Sequence, residues 1–292
     1  MQMKLGIVTP VLTRVQRSHA AWERDAGIDE VTRIVVEAER LGYHHATCSE
    51  HVAIPEEIAK TRGGIYWDPL ATFGYLAAHT KTIRLATFVL VLGYHHPLAI
   101  VKRYGTLDRI AKGRLILGVG VGSLQEEFAL LGADFAARGA RGDDAIRALR
   151  ASWGRDVPEY HGTHYDFSGA IVNPTAPRTA VPIWIGGRSR RSLRRAVELG
   201  DGWAPFGINR DEIRAFLTEA RATEAWAKRS QAIEVALQPD PVDPVGNRAA
   251  TAAMVEHYQA AGTTILNARF THHSVEHYIE QLAALRELVP VK

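Results

Sequence analysis

Residues 83–120 read IRLATFVLVLGYHHPLAIVKRYGTLDRIAKGRLILGVG. The first part, Ile83–Leu92, is nearly continuously apolar, the pattern of a strand covered on both faces. Pro97 opens a helix-like segment that runs to Ala111, the place where proline is best tolerated in a helix. Arg114–Gly120 is a second buried strand. A strand, a helix and another two-face-buried strand in succession predict a βαβ unit, and such units build parallel sheets.

The same alternation runs outward in both directions. Upstream lie strand Lys4–Thr9, helix Ile28–Leu41 with apolar residues at 31, 34, 35, 38 and 41, strand Tyr43–Ser49 and helix Trp67–His79. Gly42 closes the first of these helices as a C-terminal cap. Downstream lie helix Arg141–Trp153, strand Pro182–Gly186, helix Ser189–Leu199, strand Asp201–Phe206, helix Asp211–Arg221 and strand Ala232–Gln238. Helix Ala249–Ala261, strand Thr263–Asn267 and helix Val275–Leu288 complete the chain. Only Tyr160–Ala176 breaks the rhythm: its polar alternation and turn residues predict an inserted excursion of hairpin type, at about 158–180. Eight strand–helix units in 292 residues predict an α/β fold, a closed (β/α)8 TIM barrel over 1–292 as one domain, against a length prior of about two domains. The chemistry of such a barrel sits on the loops that follow its strands.

Composition excludes several classes. Hydrophobic residues make up 46% and charged residues 23%, ordinary for a globular chain able to bury a large core. The longest strongly apolar run, Leu85–Gly93, is far below the ~20 residues that span a bilayer, so no membrane partner is expected. Met1-Gln2-Met3-Lys4 leads directly into a strand without a signal-peptide pattern, and the single cysteine, Cys48, excludes an internal disulfide; both point to a cytoplasmic protein. A net charge of +3 is too small to imply nucleic acid. The basic residues are 28 Arg against 7 Lys, with one dense patch of Arg188, Arg190, Arg191, Arg194 and Arg195.

Four constellations carry candidate chemistry. Glu50-His51 ends the second strand, where it can supply general acid/base catalysis near neutral pH or simply form a surface hydrogen-bonded pair. Gly186-Gly187-Arg188-Ser189 joins a strand to a helix; the free N–H groups and positive dipole of that helix start suit a phosphate, and the bland reading is an ordinary barrel loop. On the phosphate reading the arginine patch is a funnel for an anionic ligand, with Arg194 and Arg195 solvated. Gly118-Val119-Gly120-Val121-Gly122-Ser123 departs from a dinucleotide fingerprint at Ser123 and reads better as a thinned strand end that lets a flat ring or backbone come close. The pairs His44-His45, His95-His96 and His272-His273 do not have metal-site spacing, since neighbours on a strand point to opposite faces, and no metal is expected. Cys48 reads as a core thiol, and Trp67, Trp184 and Trp203 as core or as walls of a flat-ligand pocket.

A set of colinear motifs resembles the luciferase-like monooxygenase superfamily. It comprises Ile83–Thr87 with Val89–Leu92 and His96-Pro97, Thr106–Arg109, Gly113–Leu115 running into Gly118–Gly122, Glu126–Phe128, Arg138–Arg141, Pro182–Gly187 and Asp201–Trp203. The resemblance covers residues 4 to about 207, and its nearest flavour is the F420-dependent oxidoreductase branch. It implies a barrel with insertions, usually a homodimer, that holds a flavin or the deazaflavin coenzyme F420 in its mouth and acts on a small organic substrate. By the branch's pattern His51 acts at the reacting centre, with Glu50 orienting it or contacting the cofactor. A non-proline cis peptide at Phe88-Val89 backs the ring, Val121, Gly122 and Ser123 contact the ring or ribityl chain, and Gly186, Gly187, Arg188 and Ser189 hold the phosphate. Thr9 and Phe206, at other strand ends, complete the cofactor-binding set. Three positions depart from the pattern: Phe88 stands where the branch often has a small residue, Ser123 where some members have a carboxylate, and His95 where Arg is common. The alternatives are an FMN-dependent monooxygenase that uses reduced flavin and oxygen, and a non-catalytic flavin-binding barrel.

Overall fold

The computed structural model describes residues 3–14 and 19–290, so Met1 and Gln2 of the first segment lie outside it. Eight parallel strands close on themselves: β1 (Lys4–Ile7), β2 (His45–Cys48), β3 (Arg84–Thr87), β4 (Leu115–Gly120), β5 (Ile183–Gly186), β6 (Gly202–Ala204), β7 (Glu234–Leu237) and β8 (Ile265–Ala268). Closure is made by β8 on β1, with Lys4 opposite Ile265 and Ile7 opposite Ala268. Each strand is followed by a long outer helix: α1 (Ile28–Arg40), α2 (Pro69–His79), α3 (Pro97–Ile110), α4 (Arg138–Ser152), α5 (Arg190–Leu199), α6 (Arg210–Arg221), α7 (Arg248–Ala260) and α8 (Val275–Leu288). This is the (β/α)8 barrel that the alternation predicts.

The helices start where their caps allow. The Asp68 carboxylate accepts the Ala71 N–H ahead of Pro69, the His96 ring accepts the Leu98 N–H ahead of Pro97, and the Ser189 hydroxyl accepts the Ser192 N–H. Gly42 takes a left-handed φ of +76° just past α1, the closing conformation that glycine adopts without a Cβ penalty. Every residue of β4 is buried, which explains its unbroken apolar run.

Two apolar layers result. The larger lies between strands and helices. The smaller fills the barrel lumen, where Trp184 sits among Ala86, Ile116, Ala204, Ala236 and Ile265. Alanine at three of those positions leaves the volume that one indole occupies. The Trp184 indole N–H donates to Glu234 at 2.9 Å, which satisfies its one polar group.

One segment differs from the expectation. Ile83–Leu92 is not one strand: β3 ends at Thr87, the Phe88–Val89 peptide is cis, and pairing with β4 resumes at Leu90–Val91 before a 3₁₀ turn. The loop 55–66 carries a helix, Glu56–Arg62, and a short strand, Ile65–Tyr66, paired antiparallel with Thr13–Arg14. That pairing draws the loops after β1 and β2 together at one side of the barrel mouth. The excursion is a small hairpin of Tyr160–His161 on Asp166–Phe167, anchored by Asp144 of α4, which accepts from Tyr160 Oη and the His164 N–H. No helix of the described residues is long and apolar enough to cross a membrane.

Candidate active site

The strand ends enclose a cleft of about 460 Å³. Of the residues singled out from the sequence, Thr9, Glu50, His51, Phe88, Val89, Val121, Gly122, Ser123, Gly186, Gly187 and Phe206 line it. Arg188 and Ser189 do not. The Ser189 side chain is committed to capping α5, and its backbone N–H donates to Ser192 Oγ at 3.2 Å. Arg188 is exposed at the rim, its guanidinium 3.7 Å from where a Cβ on Gly207 would stand.

His51 is held from behind. Its Nδ1 lies 2.6 Å from Oε2 of Glu127, a residue with no exposed side-chain surface. The same oxygen accepts the Tyr94 hydroxyl at 2.7 Å, while Oε1 accepts the Val52 N–H at 2.6 Å and the Ala53 N–H at 3.1 Å. Burial pushes the Glu127 carboxyl up, but the four hydrogen bonds from His51, Tyr94, Ala53 and Val52 outweigh it and hold the group below its ordinary value. Burial, then the Glu127 carboxylate, pushes the Tyr94 hydroxyl far up, so it stays a donor. A carboxylate at Nδ1 fixes the neutral imidazole as the Nδ1–H tautomer and leaves Nε2 as the nitrogen available to the cleft. The Tyr66 ring packs edge-on at 4.5 Å from the imidazole.

Glu50 does not orient His51. Its Oε2 accepts the Val91 N–H at 2.7 Å and its Oε1 pairs with His95 Nε2 at 2.7 Å. The Ser49 hydroxyl donates to the Phe88 carbonyl at 2.9 Å and the Glu50 N–H to the Val89 carbonyl at 3.3 Å. Ser49 and Glu50 therefore staple the irregular Phe88–Val91 segment to β2, which shapes the cleft floor. Glycines make room for that floor. A Cβ on Gly118 would stand 2.0 Å from the Thr87 carbonyl oxygen, so backbone does approach closely there; Cβ atoms on Gly120 and Gly186 would meet the Val89 methyls at 2.7 and 2.8 Å.

The glycine turn after β5 has its own structural reason. Gly187 has φ +133°, and a Cβ there would come 2.7 Å from the Ser192 Cβ. The Trp203 indole N–H donates to the Gly187 carbonyl and to Ser192 Oγ, both at 3.1 Å, and locks the turn. The expected arginine funnel is largely consumed by local partners: Arg190 pairs with Glu219, Arg194 with Glu198, and Arg195 with Asp143. Arg195 is buried, not solvated, because it also reaches the Gly139 carbonyl between α4 and α5.

Other candidates resolve simply. Burial, first among several causes, pushes the Cys48 thiol up to about 12, the behaviour of a core group. Trp184 and Trp203 are fully buried. His96 caps α3, and His95 serves Glu50. Among the described residues no three His, Cys, Asp or Glu side chains converge as metal ligands. Cleft residues that the sequence does not single out include Glu23, Arg62, Tyr66 and Tyr278.

The model of the family described as luciferase-like monooxygenase matches residues 3–288. The chain belongs to that family. Within it, an uncharacterized protein of Mycobacterium tuberculosis (strain H37Rv) is 30% identical over 210 residues, 68% of this chain and 72% of the other. An F420-dependent glucose-6-phosphate dehydrogenase of Nocardia farcinica is 31% identical over 182 residues, 61% of this chain and 53% of that one. The crystal structure of a monooxygenase, RslO1, of Streptomyces bottropensis superposes with a TM-score of 0.77 at 21% identity, over 98% of both chains, which matches the fold.

The luciferase-like cleft fits a ring-and-phosphate cofactor. Its volume lies in the range of small-molecule sites. Its floor is backbone and the Val89 side chain, bare at Gly120 and Gly186, and so can back a flat ring. One end opens at the N-terminus of α5, whose first N–H groups have no partner within the helix, with Arg188 beside it.

Proposed function

We propose that the protein is an F420-dependent oxidoreductase that transfers a hydride between the deazaflavin and a small organic substrate. The observation that carries this reading is His51 on the cleft wall, its Nδ1 held by buried Glu127 and its Nε2 left for a ligand. The bound cofactor supplies a ring carbon that accepts or donates hydride. Phe88 and Val89 support the ring, Val121, Gly122 and Ser123 flank it, and the turn at Gly186–Gly187 with Arg188 at the rim receives the phosphate. His51 moves the substrate proton that accompanies the hydride, taking it on Nε2 in one direction and returning it in the other. The Glu127 carboxylate balances the imidazolium that forms when Nε2 is protonated.

The Nocardia relative named as F420-dependent and the acid–His sequence at the end of β2 support F420 over FMN. Oxygen chemistry on reduced FMN would use the same floor and turn. Titration with F420 and with FMN, followed by absorbance and fluorescence, separates them. Binding of F420 at low-micromolar concentration or tighter, with weaker FMN binding, is expected. A protein that saturates with FMN and ignores F420 overturns the choice, and binding without turnover on any substrate tested points to a non-catalytic barrel.

A further inference from the structure

The charges of the cleft fall into two groups. The two carboxylates that line it, Glu23 and Glu50, and Glu127 behind His51 are each engaged by the protein. Glu127 and Glu50 hold backbone N–H groups and a histidine, as described above, and Glu23 accepts the Val11 N–H on Oε2 and the Ala20 N–H on Oε1, both at 2.7 Å, at only 3% exposure. Arg269, one residue beyond β8 and so separated from the β2 end that carries His51 only by β1, is different. Its side chain makes no hydrogen bond and no ion pair within 4 Å among the described residues, although it lines the cleft and is only partly exposed. Burial lowers its pKa, with Asp240 and Glu23 opposing from beyond ion-pair distance. The adjacent His272 adds no charge at neutral pH, because burial first, and then the neighbouring His277, Arg269 and His273, push it down to about 4. A half-desolvated guanidinium with five donors and no acceptor is costly to leave unmatched.

We infer that the substrate is a small organic oxyanion whose charged end docks on Arg269 while its reacting end lies toward His51. The rest of the substrate meets apolar wall, because Phe88, Phe270 and Tyr278 line the same cleft. A planar carboxylate matches the fork of a guanidinium with two parallel hydrogen bonds. Arg62, which lines the same cleft near Tyr66, adds a second positive charge at the mouth. This substrate class rests on reading the cleft as the hydride-transfer site.

Benzoate is the probe and benzamide its neutral isostere. Both are titrated calorimetrically into F420-loaded wild type, Arg269→Met and Arg269→Lys, so that the cofactor already occupies the phosphate turn, and into the three apoproteins. Wild type should bind benzoate at least tenfold more tightly than benzamide. Arg269→Met should abolish that preference and Arg269→Lys keep part of it, with F420 affinity within threefold of wild type in both. Equal affinity of wild type for the two probes, or an undiminished preference in Arg269→Met, overturns the inference. So does a tenfold loss of F420 affinity in Arg269→Met, which would put the cofactor phosphate on this arginine. If wild type binds no F420, the hydride-transfer reading fails, while the apoprotein titrations still decide whether Arg269 holds an anion. Retention of benzoate by Arg269→Lys shows that any loss in Arg269→Met is not misfolding.

Discussion

Glu127→Gln is the most informative single change, because it keeps shape and removes charge. The amide oxygen can still accept the Val52 and Ala53 N–H groups, which places the NH₂ group opposite His51 Nδ1 and Tyr94 Oη. Both of those atoms currently donate. Tyrosine can rotate its hydroxyl and accept, but His51 can accept on Nδ1 only by moving its proton to Nε2. The nitrogen left to the cleft then turns from acceptor to donor. Replacing four charge-assisted bonds by neutral ones weakens each by roughly 1 kcal/mol, about 2–4 kcal/mol of stability in all once their non-additivity is allowed for. The lost acid/base function should lower turnover by at least about a hundredfold, roughly 2.7 kcal/mol of barrier. Long-range ¹H–¹⁵N NMR reads the tautomer directly: Nδ1–H in wild type, Nε2–H in the variant. A folded Glu127→Gln protein that keeps the Nδ1–H tautomer and turns over within threefold of wild type would refute the clamp.

Four further outcomes are expected. His51→Ala should cut turnover by about a hundredfold or more while F420 affinity changes less than threefold, measured on one preparation; the reverse split would make His51 a cofactor ligand. Arg188→Met should weaken F420 binding by several-fold without moving the thermal midpoint, since Arg188 is exposed and supports no packing; unchanged affinity puts the phosphate elsewhere. The Glu127 pKa is lowered on folding, so its contribution to stability is complete above the unfolded carboxyl value near ~4.3 and disappears as pH falls through the lower folded value. Urea midpoints of wild type and Glu127→Gln should therefore converge below about pH 4, and parallel curves would contradict this. Gly118→Ala should cost about 3 kcal/mol or prevent folding, because its Cβ would meet the Thr87 carbonyl oxygen at 2.0 Å and backbone cannot step aside; a near-native urea midpoint would contradict that account.

Local periodicity carries the barrel. The stripe at Val31, Ile34, Val35 and Ala38 faces the core, and the run Leu115–Gly120 is buried throughout. Strand ends in a barrel point at one mouth, so reading the residues that follow each strand finds most of the cleft wall. Partnerships were not legible. His51 follows β2 and Glu127 lies on the short helix after β4, 76 positions later, and nothing in periodicity joins them. Glu126 and Glu127 are adjacent acids of one motif, yet only Glu127 turns inward. The sequential neighbour Glu50 was the obvious candidate to orient His51, but successive residues leave a strand in different directions, and Glu50 turns to Val91 and His95. Arg195 reads as solvated until α4 is seen to pack on α5. Arg269 carries no local motif at all, and only its position beside the mouth distinguishes it.

The Val89 side chain ties together three positions that are far apart in the chain. Its two methyls occupy the space that side chains on Gly120 and Gly186 would need. The order of substitution therefore matters: alanine at 120 or 186 is blocked while valine stands at 89 and becomes accessible after Val89 shrinks. A Val89→Ala protein should accept Gly186→Ala with far less loss than wild type does, so the effect of the second substitution depends on the first. The shape of the cleft floor is in this sense set by three positions as a unit, with residue 89 deciding what the other two can hold.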